Sequence, residues 1–285
     1  MICVGKFVHC SGESDRNRIV PMGICKLCLL RKPLQDSHLI PAAMYDIIRR
    51  ENIRAGWKNP SPIAIGRRIT SHTSRQPSDY VLCSDCEDRF NKNGESWMLN
   101  WVWNGTSFPL LERLNVAHPR YHFQDALVFS APAVGIDADK LGYFALSIFW
   151  RAGVHVWDVG FGGRSTKLDF GSAEEPLRLF LLGQNPLPSN VILVCTVCTD
   201  ALSRIVTTPG CRIEKFFSHV SGFGVTTLGV HFMLFVGPLP PPFQELCCMR
   251  SPSRPLFFRD CQQNTLDAYK SLMVSSRVAK NVERA

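Results

Sequence analysis

An α+β fold is what this sequence predicts, and three observations carry the prediction. Two CxxC pairs, Cys25/Cys28 and Cys83/Cys86, stand in the first third of the chain. A strongly apolar run, "DADKLGYFALSIFWRAG", has the start and stop signals of a buried helix. The runs "SNVILVCTVCTD", "RIVTTPGCRIEKFF" and "GVTTLGVHFMLFVG" that follow are β-branched and apolar, the composition of strands in a largely buried sheet. With 285 residues, 45% apolar and 20% charged, the chain is long enough to bury a sizeable core.

Taken in order, residues 1–21 carry no pattern and are expected to form a flexible tail, with Met22 an alternative start of translation. Residues 22–104 hold both cysteine pairs and form the first expected domain. Within it, "PAAMYDIIRREN" has Ala43, Ile47 and Ile48 at helical spacing, which predicts a short helix after Pro41. The stretch "WKNPSPIAIGRRITSHTSRQPSDY" is rich in Ser, Pro and Arg and has no acidic residue before Asp79, so it reads as a long loop or an irregular hairpin. In "EDRFNKNGESWMLNWVW", Phe90, Trp97, Met98, Trp101 and Val102 fall at roughly helical spacing, and Asn93-Gly94 interrupts them; one or two helices are expected.

Residues 105–270 are expected to form an α+β domain with a mixed or antiparallel sheet. Its long helix starts at an N-cap, Asp137 or Asp139, and closes at Gly153. A second helix, "AEEPLRLFLLG", has Glu174 and Glu175 in its first turn, where they suit the helix dipole, and ends at Gly183. The Pro-rich "GPLPPPF" reads as the end of the compact region, and residues 271–285 as a fraying basic tail.

Charge and cysteine content narrow the function classes. The formal net charge of +8 favours anionic partners, nucleic acid first. No run approaches the roughly 18 to 20 apolar residues of a membrane helix, so no membrane partner is expected. The first residues lack a secretory apolar segment and a small-residue cleavage site, and twelve cysteines are too dilute for a disulfide scaffold. A reducing, cytoplasmic location is expected.

A CxxC turn lets two thiolates face one point, and two such turns supply the four tetrahedral sulfur ligands of a structural zinc ion. Cys25, Cys28, Cys83 and Cys86 are therefore expected to hold Zn2+. With 54 residues between Cys28 and Cys83, the ion would tie distant segments together.

The same region carries a family resemblance. "CKLC", then "DSHLIP", then "LCSDCE" resembles the pattern of HNH endonucleases over residues 23–95. There a CxxC knuckle precedes a strand bearing an acidic-His-x-x-Pro motif, and a second CxxC opens the helix with the last metal ligand. A closer similarity is to uncharacterised bacterial proteins with "SHxIP", "LCxxCExRFNKxGE" and a later "WR", matched here by His38, Glu87, Gly94-Glu95 and Trp150-Arg151. The resemblance implies a treble-clef zinc domain and a metal-dependent endonuclease acting on nucleic acid, double-stranded DNA foremost. It implies His38 as general base and a catalytic Mg2+ or Mn2+ ion with Asp36 and Glu87 as ligands. Two departures stand out. Ser37 occupies the place directly before the base, with Asp36 one residue further back, and Glu87 stands where the family has its final histidine. The family's middle asparagine has no fixed counterpart here; Asp79 and Asn91 are the two candidates.

Other readings follow from residue types alone. After the general base, His38 reads next as a buried histidine in a zinc fold that keeps only the shape of an enzyme, and last as a zinc ligand; Glu95 reads as an ion-pair partner of Arg89. Lys58, Arg67, Arg68 and Arg75 lie in the acid-poor segment and are expected either to contact phosphate or to form a solvated basic loop. Arg151 pairs with a carboxylate or reaches a ligand. Cys195/Cys198 and Cys247-Cys248 read as buried free thiols. The alternative function is a non-catalytic, zinc-stabilised module that binds nucleic acid or protein, in bacterial defence against phage.

Overall fold

Strand pairing brings the two cysteine pairs together. The computed structural model describes residues 20–65, 69–160, 163–165, 167–198, 205–217, 219–260 and 277–278. In it β1 (Met22–Ile24) and β2 (Arg31–His38) form an antiparallel hairpin whose turn holds Cys25 and Cys28. Then α1 (Ala42–Arg54) follows Pro41 and buries Met44, Ile47, Ile48 and Asn52 along one face. The Ser/Pro/Arg-rich segment contains the short antiparallel pair β3 (Ile63–Ile65) and β4 (Ile69–His72), the irregular hairpin of the two forms expected. Next, β5 (Ser78–Cys83) pairs antiparallel with β2, giving a three-stranded sheet in the order β1-β2-β5. Cys83 thereby lies opposite Leu34, one strand away from the knuckle turn.

From β5 the chain runs straight into a helix. It begins as α2 (Ser84–Phe90), widens into a π turn (Asn91–Glu95) and continues as α3 (Ser96–Val102). After α4 (Pro109–Val116) come β6 (Tyr121–Phe123), β7 (Ala126–Ser130) and the long α5 (Ala138–Val154). Asp137 caps α5, accepting from the backbone N–H groups of Asp139 and Lys140 at 3.1 and 3.0 Å. A small antiparallel pair, β8 (Asp158–Gly160) and β9 (Gly163–Arg164), precedes α6 (Glu174–Leu181), after which Gly183 turns the chain with φ +72°.

The remaining strands build the main sheet: β10 (Val191–Cys198), β11 (Gly210–Phe217), β12 (Val220–Thr227), β13 (Val230–Val236) and, after the short α7 (Pro241–Gln244), β14 (Pro255–Arg259). Seven strands run in the order β11-β12-β13-β10-β14-β7-β6. Only β10 and β14 pair in parallel, so the sheet is mixed. Its position overturns the reading of "GPLPPPF" as an end: β14 lies beyond that stretch and sits between β10 and β7 inside the sheet. Leu256, near its centre, is completely buried. At the chain's far end β15 (Arg277–Val278) pairs in parallel with β4; the rest of the expected basic tail, and residues 1–19 of the expected N-terminal tail, lie outside the described residues.

One core unites the two expected domains. The main cluster of buried residues reaches from Cys25 to Leu256, with two small clusters on the main sheet beside it, and α5 is the reason. It is apolar nearly all round, the pattern of a helix enclosed on every side. On one side the Phe144 ring lies 5.9 Å from Phe232 of β13; on the other, Phe90 of α2 meets Tyr143 and Trp150 edge-on at 6.1 and 6.0 Å. Asn93-Gly94 does not break the helical run, because Gly94 is there to let α5 approach. A Cβ at residue 94 would lie 2.7 Å from the Phe144 nitrogen and 2.8 Å from its Cα. Backbone cannot give way as a side-chain tip can. Gly94→Ala is therefore expected to cost about 1–3 kcal/mol, read as a lower urea midpoint with an unchanged slope. Among the described residues no helix is long and apolar enough to cross a membrane.

Candidate active-site cleft and cysteine centre

The knuckle turn is closed by backbone hydrogen bonds from Cys25 to Leu30 and from Leu29 to Cys25, with Leu29 in the left-handed region at φ 62°. Cys83 is the N-cap of α2, and Cys86 lies in its first turn. All four sulfurs lie within 4.8 Å of one another, and Cys28 and Cys83 approach to 3.9 Å. Tetrahedral sulfur around zinc, with bonds of about 2.3 Å, has edges of roughly 3.8 Å. The set could hold one metal ion, and its all-sulfur composition is consistent with structural zinc. Crowding already couples the thiols. Cys25 is pulled down to about 4, chiefly by its hydrogen bond with Cys86 and against the cost of burial, while Cys86 is pushed up. The second half of the chain braces this turn: Arg178 of α6 donates to the Leu27 carbonyl at 2.6 Å.

Beside the cysteines lies a cleft of about 450 Å3. The end of β2 contributes Asp36 and His38, α2 contributes Glu87 and Asp88, the π turn contributes Asn91 and Glu95, and α5 contributes Arg151. All four residues expected as catalytic, His38, Asp36, Glu87 and Asn91, thus line one cleft. Strand alternation accounts for the first two. Asp36 and His38 share the open face of β2, and Ser37 between them is buried. The Ser37 hydroxyl accepts from the Leu82 N–H at 3.1 Å and so ties β2 to β5 across a bulge. An acidic residue at 37 would face the interior; Asp36 holds the carboxylate on the cleft side instead. Asp79, opposite Ser37, does not line the cleft and pairs with His155 at 2.9 Å.

The charges inside the cleft are unlike those of the whole chain. Four carboxylates, Asp36, Glu87, Asp88 and Glu95, face one guanidinium, that of Arg151. Asp88 is shared with Lys92 at 3.6 Å. Arg151 is almost fully buried and reaches Glu95 at 2.7 Å and Glu87 at 3.4 Å. The Phe90 ring lies 4.6 Å beneath its guanidinium carbon. Burial opposes its charge, but Glu95 and then Glu87 overcome this and hold its pKa above the ordinary arginine value. Glu87 Oε2 faces Arg151, while Glu87 Oε1 is buried with no protein hydrogen-bond donor. A buried carboxylate oxygen without a donor is unusual and calls for a partner. Asn91 is fixed through its Oδ1, which accepts from Ser96 at 2.5 Å.

Other expected residues fall elsewhere. Glu95 pairs with Arg151 and not with Arg89, whose guanidinium donates to the Leu182 carbonyl at 3.1 Å, because the π turn carries residue 95 round to α5. Arg75 is taken up by Asp158 at 2.5 Å, and Lys58 is exposed. Arg67 and Arg68 lie outside the described residues. Cys195, Cys198, Cys247 and Cys248 are buried and in no disulfide, and burial pushes the Cys195 and Cys248 thiols up. Among the described residues, the only group of three or more metal-type side chains gathered closely enough for an ion is the four cysteines. Comparison with protein-family profiles, curated proteins and solved structures finds no match to this chain.

Proposed function

We propose that this protein is an HNH-like, cation-dependent endonuclease that hydrolyses phosphodiester bonds of nucleic acid, built on a treble-clef unit with a structural zinc held by four cysteines. The observation that carries this reading is the single cleft lined by His38, Asp36, Glu87 and Asn91, directly beside the cysteine centre. An acidic cleft repels a phosphate on its own, so its negative charge makes sense for a site that takes a cation first. Magnesium is usually held by one or two carboxylates, with water completing its shell, so Asp36 and Glu87 suffice as donors. A bound Mg2+ or Mn2+ would neutralise phosphate charge and stabilise the departing oxygen.

The chain's own groups do the rest. His38, half-buried at the cleft wall, takes a proton from the attacking water; imidazole is the side chain that exchanges protons most readily near neutral pH. Asn91, fixed by Ser96, keeps its NH2 group as a donor to a substrate oxygen. Attack forms one P–O bond, the leaving P–O bond breaks, that oxygen takes a proton from solvent water, and His38 returns to solvent the proton that it took. The net charge of +8 supplies sequence-independent attraction to the polyanion.

A second reading, a non-catalytic zinc-stabilised binding module for nucleic acid or protein, with a role in defence against phage, has one observation in its favour: among the described residues the cleft side chains do not form a close group of three metal-type donors, as the four cysteines do. Both are tested by mixing the zinc-loaded protein with end-labelled duplex DNA, single-stranded DNA and RNA, with and without added Mg2+ or Mn2+. Cation-dependent shortening of the label supports the nuclease. Retention without shortening supports the module.

A further inference from the structure

We infer that Arg151 is a positioning residue of the cleft: anchored by Glu95, it holds Glu87 so that one carboxylate oxygen is left for a cation. This rests on the reading of the cleft as a cation-dependent hydrolytic site and extends it to a residue 56 positions further along the chain from Glu95. Three observations support it.

The arginine's two ion pairs are unequal. Glu95 is bonded at 2.7 Å and Glu87 lies at 3.4 Å, so Glu95 neutralises most of the guanidinium charge and Glu87 is steered without being consumed. Both contacts run through the same Arg151 Nη2; Glu87 Oε1 stays without a protein donor, and Arg151 Nε and Nη1 stay without an acceptor. The arm is also rigid. Arg151 is almost fully buried on α5, its guanidinium rests on the Phe90 ring, and its own carbonyl accepts from the Trp157 indole N–H at 3.0 Å. Finally, the π turn serves this geometry. It lets the close approach at Gly94 and the carboxylate of Glu95 coexist on one helix, and π turns recur where a helix must re-aim side chains for function. The residues Glu87, Gly94, Glu95 and Arg151, scattered in sequence, thus form one device. Residues beyond 104 complete the site and are not a detachable recognition part.

The test is Mn2+ binding to the zinc-loaded full chain by titration calorimetry, with zinc content measured for every variant. Wild type should bind one Mn2+ in the cleft, and Glu87→Gln should weaken that binding by about tenfold or more. Glu95→Gln, which keeps size and one acceptor, should weaken it about tenfold or more, because the unbalanced guanidinium then draws Glu87 into a full ion pair. In an Arg151→Met background the Glu95→Gln effect should vanish, since Glu95 acts only through Arg151. Affinity of folded Glu95→Gln within twofold of wild type overturns the inference, as does a Glu95→Gln loss that persists without Arg151. If Arg151→Met fails to fold, Glu95→Gln alone decides. Absence of any Mn2+ binding by folded wild type would instead defeat the proposed function, and this inference with it.

Discussion

Cys28→Ser is expected to remove the bound metal and destabilise the fold. Cys28 is the most exposed of the four sulfurs, so its replacement disturbs packing least and isolates the ligand effect. Structural zinc supplies about 10–16 kcal/mol in small fingers, and a domain of this kind is stable by about 5–15 kcal/mol in total. The crosslink closes a long loop between Cys28 and Cys83, worth about 4 kcal/mol by loop-closure entropy alone. A loss on the order of 5 kcal/mol follows, a fall in melting temperature of roughly 10–20 °C. Elemental analysis should give one zinc per chain for wild type and close to none for Cys28→Ser. Cys198→Ser should keep its zinc, because that thiol is buried in the sheet and lies outside the four-sulfur group. Equal zinc in wild type and Cys28→Ser would refute the four-cysteine centre.

His38→Ala should lower cleavage by about 10²–10⁴-fold, the usual worth of a positioned general base. The loss should fall on kcat, with KM and zinc content unchanged, because His38 sits at a strand end and its ring takes no part in the core. Asp36→Asn and Glu87→Gln should be impaired differently: their activity should recover in part as Mn2+ is raised, since a weakened cation ligand is offset by mass action. A missing base is not restored by more metal. That contrast separates the two roles within one assay.

How far these roles could be read beforehand depended on distance along the chain. The cysteines were legible because CxxC spacing alone turns two thiolates toward one point. That His38, Asp36, Glu87 and Asn91 come together followed from the family resemblance, and strand alternation and the following helix are what bring them to one cleft. The meaning of Ser37 was not, since only the pairing with Leu82 shows that it faces inward as a strut. Gly94 read as a break because glycine after asparagine signals a turn; its true cause is the backbone of α5, which no local pattern announces. Arg151 was noticed, but its partners depend on helix packing between distant segments. In the sheet, "GVTTLGVHFMLFVG" gave no sign that it holds the second half of β12, a two-residue turn and β13. The turn is Leu228-Gly229, both with positive φ, where asparagine-glycine would have been the usual signal. Leu228 is buried, and its packing offsets the unfavourable backbone. β14 was hidden behind prolines that read as an end.

The central claim is that the cleft beside the cysteine centre cuts phosphodiester bonds with His38 as base. The most direct measurement is nicking of supercoiled plasmid by zinc-loaded wild type and His38→Ala, prepared in parallel, with Mn2+ and with no added divalent cation. The account predicts Mn2+-dependent nicking by wild type and its near-complete loss in His38→Ala at equal zinc content. Equal nicking by the two proteins would contradict it.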